Sequence, residues 1–182
     1  ATDQEGGRVA RLPRTMSTAL SGNMAIGATY EKHDVYYAKR SGQVLGAELN
    51  SVGINVNFAP TVDVNMNAKN PVINVRSFGE DPKQVAELGL AQLAAMQTQG
   101  VLGTLKHFPG HGDTATDSHA VLPTVNFSKE RLDSIELYPY KKAIDKGVAS
   151  IMVAHLSLPQ LEKNVNLPSS LSKTIITDLL KG

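Results

Sequence analysis

Three runs of apolar and β-branched residues punctuate this chain: "GINVNFAPTVDV" (53–64), "GVLGTLKHF" (100–108) and "GVASIMVAHLSL" (147–158). Each opens at a glycine and follows a stretch with helical character. Their first apolar residues, Ile54, Val101 and Val148, are evenly spaced. The runs do not resemble one another, so the spacing is a structural period and not a duplicated repeat. Strand-like runs alternating with long helical stretches predict βα units in a parallel sheet. The intervening stretches carry helix end signals. In "EDPKQVAELGLAQLAAMQTQG", Asp81 suits the N-cap, Pro82 the first helical position and Gly100 the stop. Ser128 is placed to cap "KERLDSIELYPYKKAIDKG", which Pro139 kinks or divides before Gly147 ends it. A further helix is predicted from about Lys32 to Val52, stopped at Gly53, and a last one after Ser172 in "PSSLSKTIITDLLKG".

The polar residues fall where these strands end. Asp63 and Asn65 close the first run, Lys106 and His107 the second, and His155 comes late in the third. "DQEGG" (3–7) reads as the exit of a strand whose beginning lies outside the chain. In a parallel α/β barrel that rim binds ligands and carries catalysis. A doubly wound sheet places its site at a similar edge, so the pattern alone does not choose between them.

Composition narrows the function classes. The chain has 182 residues and no low-complexity linker, which predicts a single domain over 1–182. Hydrophobic residues make up 41% and charged residues 19%, as in a folded domain. The net charge of +1 gives no electrostatic case for nucleic acid or an anionic membrane as partner. No apolar run approaches the ~20 residues of a spanning helix. Without cysteine, thiolate and disulfide chemistry are excluded. The compartment stays open, cytoplasm or periplasm alike. The chain opens "ATDQEGG" without an initiator Met and closes inside a helical pattern, which predicts a piece of a longer protein, truncated at both ends.

The chemistry concentrates in "KHFPGHGDTATDSH" (106–119), which holds three of the five histidines. Lys106 and His107 are adjacent, so in a regular strand one of them points away from the site unless a bulge intervenes. Pro109, Gly110 and Gly112 make a tight irregular turn. Asp117 and His119, two residues apart, can meet in a turn or extended segment. A carboxylate there would orient the imidazole and raise its pKa, suiting it to general acid and base work near neutral pH. A metal site is the competing reading, with His107, His111, Asp113, Asp117 and His119 as ligands. Against it, Pro and Gly prevent a helical pairing of the two "HFPGH" histidines, and no HExxH pattern occurs. A Ser118 nucleophile lacks the G-x-S-x-G setting.

These residues resemble glycoside hydrolase family 3, in its β-N-acetylhexosaminidase branch. "DQEGGRVARL" (3–12), "GINVNFAPTVDV", "NPVINVRSFGEDP" (70–82), "LYPYKKAIDKGVASIMVAH" (137–155) and "PSSLS" (168–172) agree in order, over nearly the whole chain. The resemblance implies an α/β fold, a (β/α)8 TIM-type barrel here only partial, and retaining hydrolysis of terminal β-linked N-acetylglucosamine. It implies His119 as general acid/base and Asp117 as its dyad partner. Asp3, Arg11, Arg76, Lys106 and His107 would hold the sugar. The Asp-Ser-His loop favours the N-acetylhexosaminidase branch over the β-glucosidase one. No metal or organic cofactor is implied, and the partner is a carbohydrate, such as a peptidoglycan turnover product or a chitin oligomer. A retaining glycosidase also needs a carboxylate nucleophile. In the family it is an Asp beyond the helix that follows "PSSLS", so it is expected past residue 182. Asp178 is expected inside that helix, because Ser172 reads as its cap. The alternatives are a non-catalytic sugar-binding piece, a β-glucosidase-type member, or a metal-dependent hydrolase. A partial barrel would leave open sheet edges through which chains could self-associate.

Overall fold

The computed structural model describes residues 1–117 and 121–182. Its longest helices explain themselves by spacing. Helix α3 (Tyr36–Ser51) buries Ala38, Ser41, Gly42, Leu45, Gly46 and Leu49, one stripe at three- and four-residue intervals. Helix α4 (Pro82–Gln97) buries Val85, Leu88, Gly89, Gln92, Leu93 and Met96 in the same way. The two stripes face each other at close range. A Cβ on Gly42 would lie 2.2 Å from the Gln92 carbonyl oxygen, and one on Gly46 would lie 2.7 Å from that of Met96. The Asp81 side chain caps α4 by accepting from the N–H groups of Lys83 and Gln84, and Pro82 occupies the first turn.

The predicted helix over 32–52 is not continuous. A short α1 (Asn23–Gly27) and α2 (Tyr30–His33) precede α3. Asp34, at φ 50, ends α2 by donating its N–H to the Tyr30 carbonyl. The left-handed residue turns the chain axis before Tyr36 restarts the helix. The predicted split at Pro139 is present as α5 (Lys129–Ser134) and α6 (Tyr138–Ile144), with Ser128 accepting from the Arg131 N–H at the start of α5. The last helix, Thr174–Leu180, is wound as a π-helix, follows Ser172, and contains Asp178.

The three apolar runs supply β1 (Val56–Asn57), β2 (Leu102–Gly103), β3 (Leu105–Phe108) and β4 (Ile151–Val153). All pairings between them are parallel. Val56 faces Leu102, Leu105 faces Ile151, and single bridges join Thr2 to Asn57 and Thr61 to Lys106. The segment at Thr2 and the three runs therefore lie side by side in chain order, each hydrogen-bonded to the next. A fifth parallel bridge joins Thr124 to Ser157. Helices α3 and α4 pack with α6 over a core that includes Leu49, Met96, Leu105 and Tyr140. The fold is mixed α/β. Its consequence for chemistry is that Asp3, Asp63, Lys106 and His107 leave neighbouring parallel segments at one end.

Candidate active site

Lys106 is the centre of the arrangement. Its side chain is only 2% exposed, and its ammonium reaches Asp3 at 2.7 Å and Glu5 at 2.6 Å. Arg76 reaches the same Glu5 from the other side, with Nε 2.9 Å from one carboxylate oxygen and Nη2 2.7 Å from the other. Arg76 is further fixed by donating from Nη1 to the Val72 carbonyl at 3.1 Å. Burial alone would push the Glu5 carboxyl up. The Arg76 hydrogen bond and the charges of Lys106 and Arg76 outweigh it and hold Glu5 below the ordinary carboxylate value. Glu5 is thus an ionised hub that fixes two cations. Asp3 differs, because its side chain is 38% exposed and only one of its oxygens holds Lys106. The other has no hydrogen-bond partner among the described residues.

The neighbour problem of Lys106 and His107 is solved by an irregular strand. The β3–β4 register shifts between Lys106 and Phe108, and the Lys106–His107 peptide is cis, as is Phe108–Pro109. Such a slip re-aims a side chain at the end of a strand. His107 meets Asp63, whose Oδ2 lies 2.7 Å from Nδ1. The Asp63 Oδ1 accepts from the backbone N–H of His107 at 3.2 Å and of His111 at 2.7 Å. One buried carboxylate therefore ties together both ends of the "HFPGH" turn. Burial would raise its pKa, but the His107 charge, the His107 hydrogen bond and the His111 N–H outweigh it and hold it low. Ionised Asp63 keeps a proton on the His107 Nδ1. The His107 Nε2 lies 3.4 Å from Arg76 Nη2. His111 is buried, and burial lowers its pKa despite Asp63, so it is a neutral structural ring. Its Nδ1 lies 2.6 Å from the Thr114 hydroxyl.

Beyond Arg76 the surface opens into a cleft of about 300 Å³, lined by Arg8, Val9, Pro71–Arg76 and Asp117. Asp117, from the far end of the 106–119 segment, is thus brought to the same cleft as Arg76. Its expected partner His119, and Ser118, lie outside the described residues. Arg11 is exposed, and its described bond is a backbone one, its N–H donating to the Gln4 side chain at 2.6 Å. The structure therefore gathers Asp3, Arg76, Lys106 and His107 into one network, sets Asp117 beside it, and leaves the Arg11 side chain without a bond to any described residue. Among the described residues no three His, Asp or Glu side chains converge as metal ligands.

Sequence reasoning assigned no role to Glu5 and named Asp63 only as a strand-end residue. Each left a signal, an acidic residue at a strand exit in an otherwise apolar or glycine-rich context. The partners, Arg76 and His107, lie 71 and 44 residues away.

The whole chain, residues 1–182, matches the glycosyl hydrolase family 3 N terminal domain. It is 51% identical over 191 aligned positions to beta-hexosaminidase A of Pseudoalteromonas piscicida, covering 100% of this chain and 32% of that protein. The structure superposes with a TM-score of 0.93 on a glycoside hydrolase family 3 beta-N-acetylglucosaminidase from Paenibacillus sp. str. FPU-7, at 48% identity, over 99% of this chain and 33% of that one. NagZ from Neisseria gonorrhoeae, solved with N-trifluoroacetyl-D-glucosamine, gives 0.91 at 33% identity over 98% of this chain and 52% of that one. The chain thus spans between a third and a half of these relatives, and it belongs to glycosyl hydrolase family 3 as its N-terminal domain type.

Proposed function

We propose that the chain is the sugar-holding part of a retaining β-N-acetylglucosaminidase, a single domain forming a partial (β/α)8 barrel. The observation that carries this reading is the Asp3–Lys106–Glu5–Arg76 network with His107 beside it, at the ends of parallel segments and next to Asp117. A pyranose offers hydroxyls that both donate and accept, and it is held best by carboxylate and cation side by side. Asp3 accepts from ring hydroxyls. Lys106, with two of its three donors engaged, gives the third. Arg76 and the His107 Nε2 complete the set, and Arg11 approaches from the exposed rim. Because Glu5 and Asp63 already fix these groups, little ordering remains when the sugar binds.

His119, partnered by Asp117, acts as the general acid that protonates the leaving oxygen. It then serves as the base that activates water. The nucleophile that forms the glycosyl intermediate is an Asp beyond residue 182. Asp178 is inside the Thr174–Leu180 helix, as expected for a residue with no part in the chemistry. No cofactor enters this scheme, and the names of the relatives support N-acetylglucosamine as the glycone. Open edges of a partial barrel would let isolated copies of this chain associate.

The test is hydrolysis of a chromogenic β-N-acetylglucosaminide by the full-length protein and by the 182-residue chain, each beside its His119→Ala variant. Turnover by the full-length protein alone, lost in the variant, is expected. Turnover by the 182-residue chain would place a nucleophile within it and overturn the scheme. Absence of turnover by the full-length protein would overturn the enzymatic reading.

A further inference from the structure

Glu136 is a buried carboxylate that the scheme above does not use. It is 2% exposed, and one oxygen has no partner among the described residues. The other lies 2.6 Å from Arg131 Nη1. Its position explains its burial. A Cβ on Gly110 would lie 2.6 Å from the Glu136 Cβ and 2.7 Å from its Cγ, so the glutamate stem is the floor on which the Gly110 turn rests. Gly110 has φ +140, and no other residue type fits both that backbone and that floor.

Arg131, in the last turn of α5, is held on two sides. Glu136 takes Nη1, and the Phe127 ring lies 4.7 Å from the guanidinium carbon. An arginine fixed twice presents its other terminal nitrogen in one direction. That nitrogen, Nη2, lies 3.8 Å from the Asp113 carboxylate. Asp113 belongs to the segment between His107 and Asp117, four residues before the latter.

The opposite side of that segment is held by the chain leaving β1. Asn70 donates to the His111 carbonyl at 2.8 Å, and Asn67 donates to the Thr114 carbonyl at 3.3 Å. Gly112 passes so close to Val64 that a Cβ would lie 1.8 Å from its carbonyl oxygen. The segment is thus clamped from within by residues 63–70 and from outside by Arg131 and Glu136, immediately before it reaches Asp117.

We infer that Arg131, oriented by Glu136 and Phe127, is a positioning residue for the acid/base pair: through Asp113 it sets the course of residues 109–117, which bring Asp117 to its cleft. It touches neither sugar nor reacting atoms. The inference rests on the reading of Asp117 and His119 as the acid/base pair. Its effect should fall on the chemical step, because among the described residues no hydrogen bond or ion pair joins Arg131 to the Asp3–Glu5–Arg76–Lys106 network. A small displacement of an acid/base group lowers the rate while leaving glycone binding alone.

The experiment compares wild type, Arg131→Met, Arg131→Lys and Asp113→Asn in the full-length protein. For each, kcat and KM on a chromogenic β-N-acetylglucosaminide, the Kd for free N-acetylglucosamine, and amide hydrogen exchange of the peptide spanning 109–117 are measured. Arg131→Met is expected to lower kcat about ten-fold or more at unchanged Kd, as for a displaced catalytic group. Faster exchange in 109–117 should accompany it. Arg131→Lys should recover part of the rate, and Asp113→Asn should reproduce the loss. Equal kcat in wild type and Arg131→Met would overturn the inference. So would a parallel fall of kcat and sugar affinity, which a disturbed glycone pocket produces. Asp117→Asn tests the underlying reading separately: an unchanged rate there removes the acid/base assignment, whatever Arg131 does. Exchange in 109–117 still reports whether Arg131 holds the segment.

Discussion

Two glutamates are buried to a similar degree in this domain and titrate in opposite directions. Glu5 is 4% exposed and is held below the ordinary carboxylate value. Glu136 is 2% exposed and is pushed above it. For both, burial is the largest influence and raises the pKa. The difference is what surrounds them. Glu5 lies between Lys106 and Arg76, with both oxygens engaged. Glu136 has one cation, Arg131, shared with Asp113, whose negative charge adds to the upward push, and one of its oxygens is unpartnered among the described residues. One cation does not offset desolvation here, and two do. The first arrangement gives an ionised hub that fixes two cations at the ends of the parallel segments. The second gives a packing element that tolerates a proton.

The largest break in this comparison is Glu5→Gln. It leaves Lys106 and Arg76 buried beside each other without their shared counter-charge. The expected loss is about 3–5 kcal/mol of stability, as for other buried pairs broken from one side. Urea unfolding of the variant checks it, and a loss under ~1 kcal/mol would mean the hub is not stabilising.

Next comes Lys106→Met, which reduces the Glu5 environment to one cation and so makes it resemble that of Glu136. N-acetylglucosamine affinity of the full-length protein should fall about ten- to a hundred-fold, the loss of one charge-assisted hydrogen bond. Calorimetric titration measures it. The acid unfolding limb should also move to higher pH, because the Glu5 pKa rises.

The pH dependence of wild type is the third test. Glu5 and Asp63 have lowered folded-state pKa values. Their contribution is present above the unfolded value, about 4, and is lost as pH falls through the folded values. Glu136 has the opposite sign: its contribution is present below its unfolded value and is lost as pH rises through the raised folded one. Melting temperatures of wild type and Glu136→Gln should therefore diverge as pH rises from acid to neutral, in favour of the variant. A gap independent of pH would show that Glu136 titrates normally.

The smallest effect is expected at Tyr140, buried against Phe108 at 5.2 Å between ring centres, with a hydroxyl that has no partner among the described residues. Tyr140→Phe removes a buried polar atom without charge. It should change stability by no more than about 1 kcal/mol, and in the favourable direction. A thermal melt decides it.

Much of the framework was legible before any coordinates. The apolar runs at 53–64, 100–108 and 147–158 contain the strands, and the caps at Asp81 and Ser128 operate through their side chains. Each of these signals is local, so spacing reveals it. The break at Asp34 is not legible, because a single aspartate is a weaker stop signal than the glycine or proline that punctuates a helix. Within the site, Lys106 and His107 stood out by being contiguous with His111 and Asp117. Glu5 did not, since its meaning comes from Arg76, 71 residues away. The bulge that re-aims His107 depends on pairing with β4, which contiguous residues do not reveal.

The sequence by itself determined which segments become strands and helices, which end of each strand carries polar chemistry, and which family motifs the chain displays. Those properties follow from short-range periodicity, caps and contiguous residues. Only the tertiary structure decided that Glu5 is ionised and Glu136 is pushed toward neutrality. It also decided that Asp63 ties His107 to His111, and that Arg131 faces the segment leading to Asp117. A carboxylate's charge state depends on desolvation and on how many cations the fold brings within a few ångströms, and both are set by elements distant along the chain.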